Sequence, residues 1–269
     1  MGAATLCLVT GACQNTTTAG PNGTDSSREE GEASEVRREG EIRLASDVKR
    51  APRGEMRPGQ HVLGRDGRDG LLYVPAGLRP GERAPLAVML HGAGGTVEGG
   101  LRPFLRMADR WKVILVAPKS QGRTWDVILG GYGPDVVIVE RAIDRALESL
   151  SVNRRRIALV GFSDGASYAL SLGLTNGELF SSIIAFSPGF AVPARLEGEP
   201  GVFVSHGIDD GVLPIGSTSR QLVPRLRDAG VRVHYEEFDG GHAVPPRVAR
   251  AALEWWLGSP REQEPPKQG

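Results

Sequence analysis

The chain has 269 residues, and its 32 Lys+Arg are balanced by 32 Asp+Glu. That balance leaves no electrostatic footprint for gripping a nucleic-acid backbone, and no apolar run approaches the ~18 residues that span a bilayer. Both cysteines, Cys7 and Cys13, fall at the start, so the body of the chain offers no disulfide framework, zinc-thiolate site or cysteine nucleophile.

Residues 3–10 form a short, mostly apolar run that leads into Thr10-Gly11-Ala12-Cys13. This has the shape of an export signal. Its cysteine ending resembles a bacterial lipoprotein lipobox, with Cys13 as the lipidated residue. The expectation is an exported protein, membrane-anchored through Cys13 or free outside the cytoplasm. Residues 14–60 are rich in Gly, Thr, Ser and mixed charge, with few aliphatic side chains. Such a segment buries too little apolar surface to offset the entropy of ordering it, and it reads as a linker with at most a transient helix over 35–49. The Pro- and Gln-rich residues 259–269 read as a disordered tail. One folded domain is expected over 61–258.

Within that domain short apolar runs alternate with helical stretches. Strands are expected at Leu71–Val74, Leu86–Leu90, Val113–Ala117, Ile157–Val160, Ile183–Phe186, Val202–Ser205 and Val231–Phe238. Several are apolar on consecutive residues, as in strands covered on both faces. Helices are expected at Asp135–Leu150, Ala166–Leu174, Ser217–Ala229 and Val248–Leu257. The alternation implies an α/β class, three-layer fold with a mostly parallel sheet.

Ligands of such sheets bind at the carboxyl ends of the strands, so the residues just past each strand matter most. Gly161-Phe162-Ser163-Asp164-Gly165 fits G-x-S-x-G. The motif is weak alone, but here it sits between a strand and a helix, the context of a nucleophile elbow with Ser163 at its apex. The bland alternative is a tight turn whose serine caps the helix.

A serine nucleophile needs a base. Of five histidines, His61 borders the linker, His234 lies mid-strand, and His91 and His206 end strands and suit loop bracing. His242 comes after a Gly-Gly pair in the loop beyond the last strand and is the candidate base. Asp210 is the favoured acid, with Asp209 as the adjacent fallback; Asp239 could brace the histidine loop. Ser…Asp…His is then the chain order. An oxyanion needs fixed N–H donors. The amide of Asp164 is one candidate, and Ala93 or Gly94 in His91-Gly92-Ala93-Gly94-Gly95 supplies the other. The rival reading of that loop, a phosphate cradle, lacks the Lys-Ser/Thr ending of a P-loop.

With these motifs in place, residues 70–257 resemble the α/β-hydrolase superfamily. Within it they look like the phospholipase/carboxylesterase (acyl-protein-thioesterase-like) group, near the dienelactone hydrolases and polyhydroxybutyrate-depolymerase-like esterases. The resemblance rests on His91-Gly92, on Gly161–Gly165, on His206-Gly207-Ile208-Asp209-Asp210-Gly211-Val212-Leu213-Pro214, which aligns the acid with Asp210, and on Gly240-Gly241-His242. It implies a serine esterase acting on small-molecule esters with no cofactor and no metal. It also implies that Trp125, in Thr124-Trp125-Asp126, walls the acyl pocket, with Phe162 and His91 bordering the substrate. Asp164 departs from the Gln that many thioesterase relatives carry, and an acidic side chain there disfavours anionic substrates. Fourteen residues, Pro188 to Gly201, separate two strands where many lipases insert a cap. No cap domain is therefore expected, and an open site should favour short or soluble acyl esters. A prolyl-oligopeptidase-type peptidase and a non-catalytic tethered binding module are the alternatives.

Overall fold

The computed structural model describes residues 43–46, 56–64, 67, 69–79 and 81–258. Cys7, Cys13 and the 259–269 tail lie outside them. Eight strands form one sheet: β1 (Gly59–Leu63), β2 (Gly70–Val74), β3 (Ala84–Leu90), β4 (Ile114–Pro118), β5 (Val152–Phe162), β6 (Ser182–Phe186), β7 (Gly201–Gly207) and β8 (Val233–Phe238). Their spatial order is β1-β2-β4-β3-β5-β6-β7-β8. β1 pairs with β2, and β2 with β4, antiparallel; every other pairing is parallel.

Side chains of successive strand residues point to opposite faces, and both faces are apolar. Leu86, Val88 and Leu90 of β3 join one core with α3 (Pro134–Ser149), α4 (Asp164–Thr175) and α5 (Ser219–Asp228). Ala87 and Met89 join the other with α1 (Val97–Leu105), α2 (Ala108–Trp111) and α6 (Pro246–Leu257). The three-layer expectation holds. Helix α1 has no counterpart among the expected helices, because Gly99, Gly100 and Pro103 make it a poor helix former. Tertiary structure overrides propensity there. Thr96 caps it by accepting from the Gly99 N–H at 3.1 Å, and Leu101 and Phe104 are wholly buried.

The boundary drawn at residue 60 needs correction in two places. β1 already begins at Gly59, so His61 sits in a sheet edge. Farther back, Arg43–Ser46 dock on the domain. Leu44 is buried, its N–H donates to Asn176 Oδ1 at 2.8 Å, and Arg43 pairs with Glu178 at 3.1 Å. One leucine in a charged run is enough to hold these residues once a matching slot exists.

No cap domain intervenes between β6 and β7, and the connection is sewn onto α4 instead. Ser167, Ser171 and Thr175 lie one turn apart, and each hydroxyl donates to the carbonyl four residues earlier. The same oxygens accept the N–H groups of Gly189, Val192 and Ala194 at 2.9–3.1 Å. This satisfies the backbone of a segment that forms no helix or sheet ladder of its own.

Candidate active site

Ser163 stands between β5 and α4 with φ +57° and ψ −121°, a conformation that costs a non-glycine residue on the order of 1–3 kcal/mol. Glycines make the turn possible. A Cβ on Gly161 would collide with the Gly165 carbonyl, and one on Gly165 with the Leu90 and His91 carbonyls. The Ser163 N–H is held by the Phe186 carbonyl at 2.9 Å, and the hydroxyl projects from the sheet's carboxyl edge.

Two loops from β7 and β8 converge on it. Gly207 lets them approach, since a Cβ there would strike the Gly240 and Gly241 carbonyls. The Asp209 N–H bonds the Gly240 carbonyl at 3.0 Å while its side chain faces solvent. The neighbouring Asp210 turns inward and is 5% exposed. His242 Nε2 lies 2.9 Å from Ser163 Oγ, and Nδ1 lies 2.6 Å from Asp210 Oδ2. Ser163, His242 and Asp210 thus form a continuous hydrogen-bonded series. Phe162 packs its ring 4.7 Å from the His242 ring. Of the two acids left open by chain order, Asp210 meets the histidine. Asp239 is exposed.

Asp210 is held by more than His242. Its Oδ1 accepts the Val212 and Leu213 N–H groups at 2.9 and 2.8 Å, and His206 Nε2 lies 3.1 Å from Oδ2. Desolvation opposes the charge, but the Leu213 N–H, the His242 bond and the Val212 N–H together keep the carboxyl below the usual aspartate range. His206 is fully buried, and its burial pushes its pKa down, which favours the neutral ring. A proton on Nε2 serves both Asp210 and the Leu213 carbonyl at 2.8 Å, leaving Nδ1 to accept from Ser219 Oγ at 2.7 Å. The reading of His206 as a loop brace missed this contact with the acid, although the i, i+4 spacing from Asp210 was visible.

The loop after β3 lies against the elbow: an ideal Cβ on Gly92 falls 3.3 Å from Ser163 Cβ. Among the described residues, the N–H groups of Ala93 and Asp164 have no protein acceptor and remain available. Gly94 does not fit the role proposed for it, because its N–H is taken by the Arg123 carbonyl at 2.5 Å. His91 acts as a brace. Its Nδ1 donates to the Gly92 carbonyl at 2.8 Å, and Nε2 accepts from the Ser120 N–H at 3.3 Å. Burial pushes this histidine's pKa down as well.

Trp125 does not wall the pocket. It is 0% exposed, stacks on Tyr168 at 5.1 Å and donates from Nε1 to the His91 carbonyl at 2.8 Å. It buttresses the loop from behind, on the α3–α4 face. Thr124 beside it donates its hydroxyl to Asp164 Oδ2 at 2.5 Å, which ties the residue after Ser163 to the same segment. The segment is closed by Asp126 and Asp135. Asp126 Oδ2 accepts the Gly133 and Asp135 N–H groups, and Asp135 accepts those of Gln121 and Asp126.

Burial, with the nearby Asp135 charge, pushes Asp126 up to about 6. The folded state therefore holds this proton more tightly than the unfolded chain. The resulting stability is fully present below about pH 4 and is lost as pH rises through about 6. Asp126→Asn keeps an acceptor for both N–H groups without the charge. It should raise the thermal midpoint at about pH 7 by a few degrees and flatten its change between about pH 4 and 7, read by thermal unfolding.

On the opposite, α1–α6 face a cavity of about 1010 Å³ opens beside the site. Gly92, Ala93, Phe162 and His242 line it, together with the apolar Met89, Phe186, Pro103, Val244 and Ala249. Phe162 and His91 line this cavity, while Trp125 lies across the sheet from it.

Residues 136–255 match the family model described as phospholipase/carboxylesterase. The structure of esterase PE8 is 25% identical, with a TM-score of 0.56 over 69% of this chain and 96% of that one. The chain has the α/β-hydrolase fold. The butyrate-bound esterase Est2 of the planctomycete Thermogutta terrifontis shares that fold at 17% identity, with a TM-score of 0.58 over 79% of this chain and 97% of that one. MhqD of Bacillus subtilis (strain 168), named as a hydrolase, is 34% identical over 120 residues. That match spans 42% of this chain and 58% of MhqD's length.

Proposed function

We propose that the protein is a serine hydrolase that cleaves carboxylic esters through an acyl-enzyme. The reading is carried by one arrangement: the series Ser163–His242–Asp210, with two uncommitted N–H donors, of Ala93 and Asp164, beside the serine. Ser163 Oγ attacks the ester carbonyl while His242 Nε2 takes its proton. Asp210 fixes the ring's tautomer and stabilises the imidazolium that forms. The tetrahedral oxyanion is met by the Ala93 and Asp164 amides, aided by the N-terminal end of α4. Collapse breaks the ester C–O bond, and His242 returns its proton to the departing alkoxide. Water then repeats the cycle on the acyl-enzyme and frees the acid. The uncapped sheet edge supports soluble esters rather than micellar lipid as substrates.

A fluorophosphonate probe should label the protein, with the adduct mapped by mass spectrometry to Ser163; an unlabelled wild type removes the hydrolase reading. His206 is a positioning residue in this scheme. His206→Ala should lower kcat on a small ester about tenfold to a hundredfold with KM little changed. Ser219→Ala, which frees only Nδ1, should fall between. A change confined to KM would refute the assignment. Export with lipidation at Cys13 belongs to the same proposal, and metabolic palmitate labelling lost in Cys13→Ala would support it.

A further inference from the structure

The cavity beside His242 is larger than a short acyl group needs, and α1 shows how it is kept open. Gly99 and Gly100 are adjacent in a nine-residue helix, where each glycine costs about 1 kcal/mol relative to alanine. An ideal Cβ on Gly99 would meet nothing nearer than the Thr96 hydroxyl at 3.5 Å. Helix packing does not require that glycine, yet its absence of side chain leaves the groove between α1 and α6 clear. The groove begins at the oxyanion loop and His242, runs over apolar side chains, and reaches Arg102 and Arg106 of the same helix face. Both guanidinium groups are exposed, and among the described residues neither has an ion-pair partner. One carboxylate, Glu98, also borders the groove, in the first turn of α1. Asp164 points to Thr124, on the other face of the sheet.

We propose that this groove is the subsite for the longer half of the ester. Its preferred substrate is amphiphilic, with an apolar body that ends in a carboxylate set against Arg102 and Arg106. The assignment rests on the ester-hydrolase reading above. It takes the acidic group away from the carbonyl under attack, so the carboxylate of Asp164 does not repel it.

The test uses the full chain and two substrate series, p-nitrophenyl monoesters of α,ω-dicarboxylic acids and O-acetyl esters of ω-hydroxy acids, which place the long half on either side of the scissile bond. Each is compared with its ω-carboxamide analogue of equal length and with p-nitrophenyl acetate. In at least one series the carboxylate should be preferred over the carboxamide by roughly three- to tenfold in kcat/KM, the scale of two exposed ion pairs. The preference should vanish in Arg102→Gln/Arg106→Gln. Gly99→Leu fills space that the fold leaves empty and should cut the long-ester to acetate ratio of kcat/KM at least about tenfold, with its circular dichroism spectrum showing that it folds. Acetate turnover with no carboxylate preference in either series, or a Gly99→Leu ratio equal to wild type, would overturn the subsite alone. No turnover of any ester would overturn the hydrolase reading and the subsite with it.

Discussion

Ser163→Ala should lower the turnover of p-nitrophenyl acetate by about 10⁴- to 10⁶-fold and abolish fluorophosphonate labelling, while the thermal midpoint stays the same or rises. The size comes from the hydroxyl's part in the proposed mechanism. Removing a nucleophile that works as one unit with its base costs about as much as removing the whole unit. The residual rate comes from the Ala93 and Asp164 donors and from binding. The midpoint is not expected to fall, because Ser163 is held at φ +57° mainly by its own main chain, through the Phe186 carbonyl. His242→Ala should match the loss in rate. A variant retaining a tenth of wild-type activity would mean that another residue attacks.

Gly165→Ala should be a severely damaging single methyl, for reasons unrelated to chemistry. Its Cβ would meet the carbonyl groups of Leu90 and His91, at the end of a central strand whose seven residues are all buried. Backbone in that position cannot rotate aside as a side chain can. Pushing α4 off β3 would strain the elbow and open the core beneath Ala166 and Ala169, so the loss should reach about 3–5 kcal/mol, roughly 10 °C in the midpoint. Gly211→Ala is the internal control. A Cβ there meets nothing within 4 Å, and the change should stay within about 0.5 kcal/mol. Chemical denaturation of both variants beside wild type decides the point, and equal midpoints would contradict the packing argument.

The four strand-end motifs were legible because each combines a buried strand with residue types that few other roles demand together. Ser163 between two glycines, Gly240-Gly241-His242 after the last strand and the order of Asp210 between them needed no three-dimensional knowledge. Three things did need it. Which face of the sheet Trp125 occupies depends on where the chain after β4 folds back, and composition says nothing about that; the residue stacks on Tyr168 behind the loop instead of facing the cavity. Ala93 and Gly94 are equivalent in a glycine-rich string, and only the contact of Gly94 with the Arg123 carbonyl separates them. Helix α1 was hidden by the same glycines that keep the groove beside it clear. Propensity and function pull in opposite directions there, and a reading based on propensity meets a loop.

The docking of Leu44 sets the polarity of the whole molecule. Its hydrogen bond is to Asn176, which terminates α4, whereas Ser163 begins that helix. Twelve helical residues hold the two about 18 Å apart. Arg43 and Leu44 therefore lie at the pole opposite Ser163.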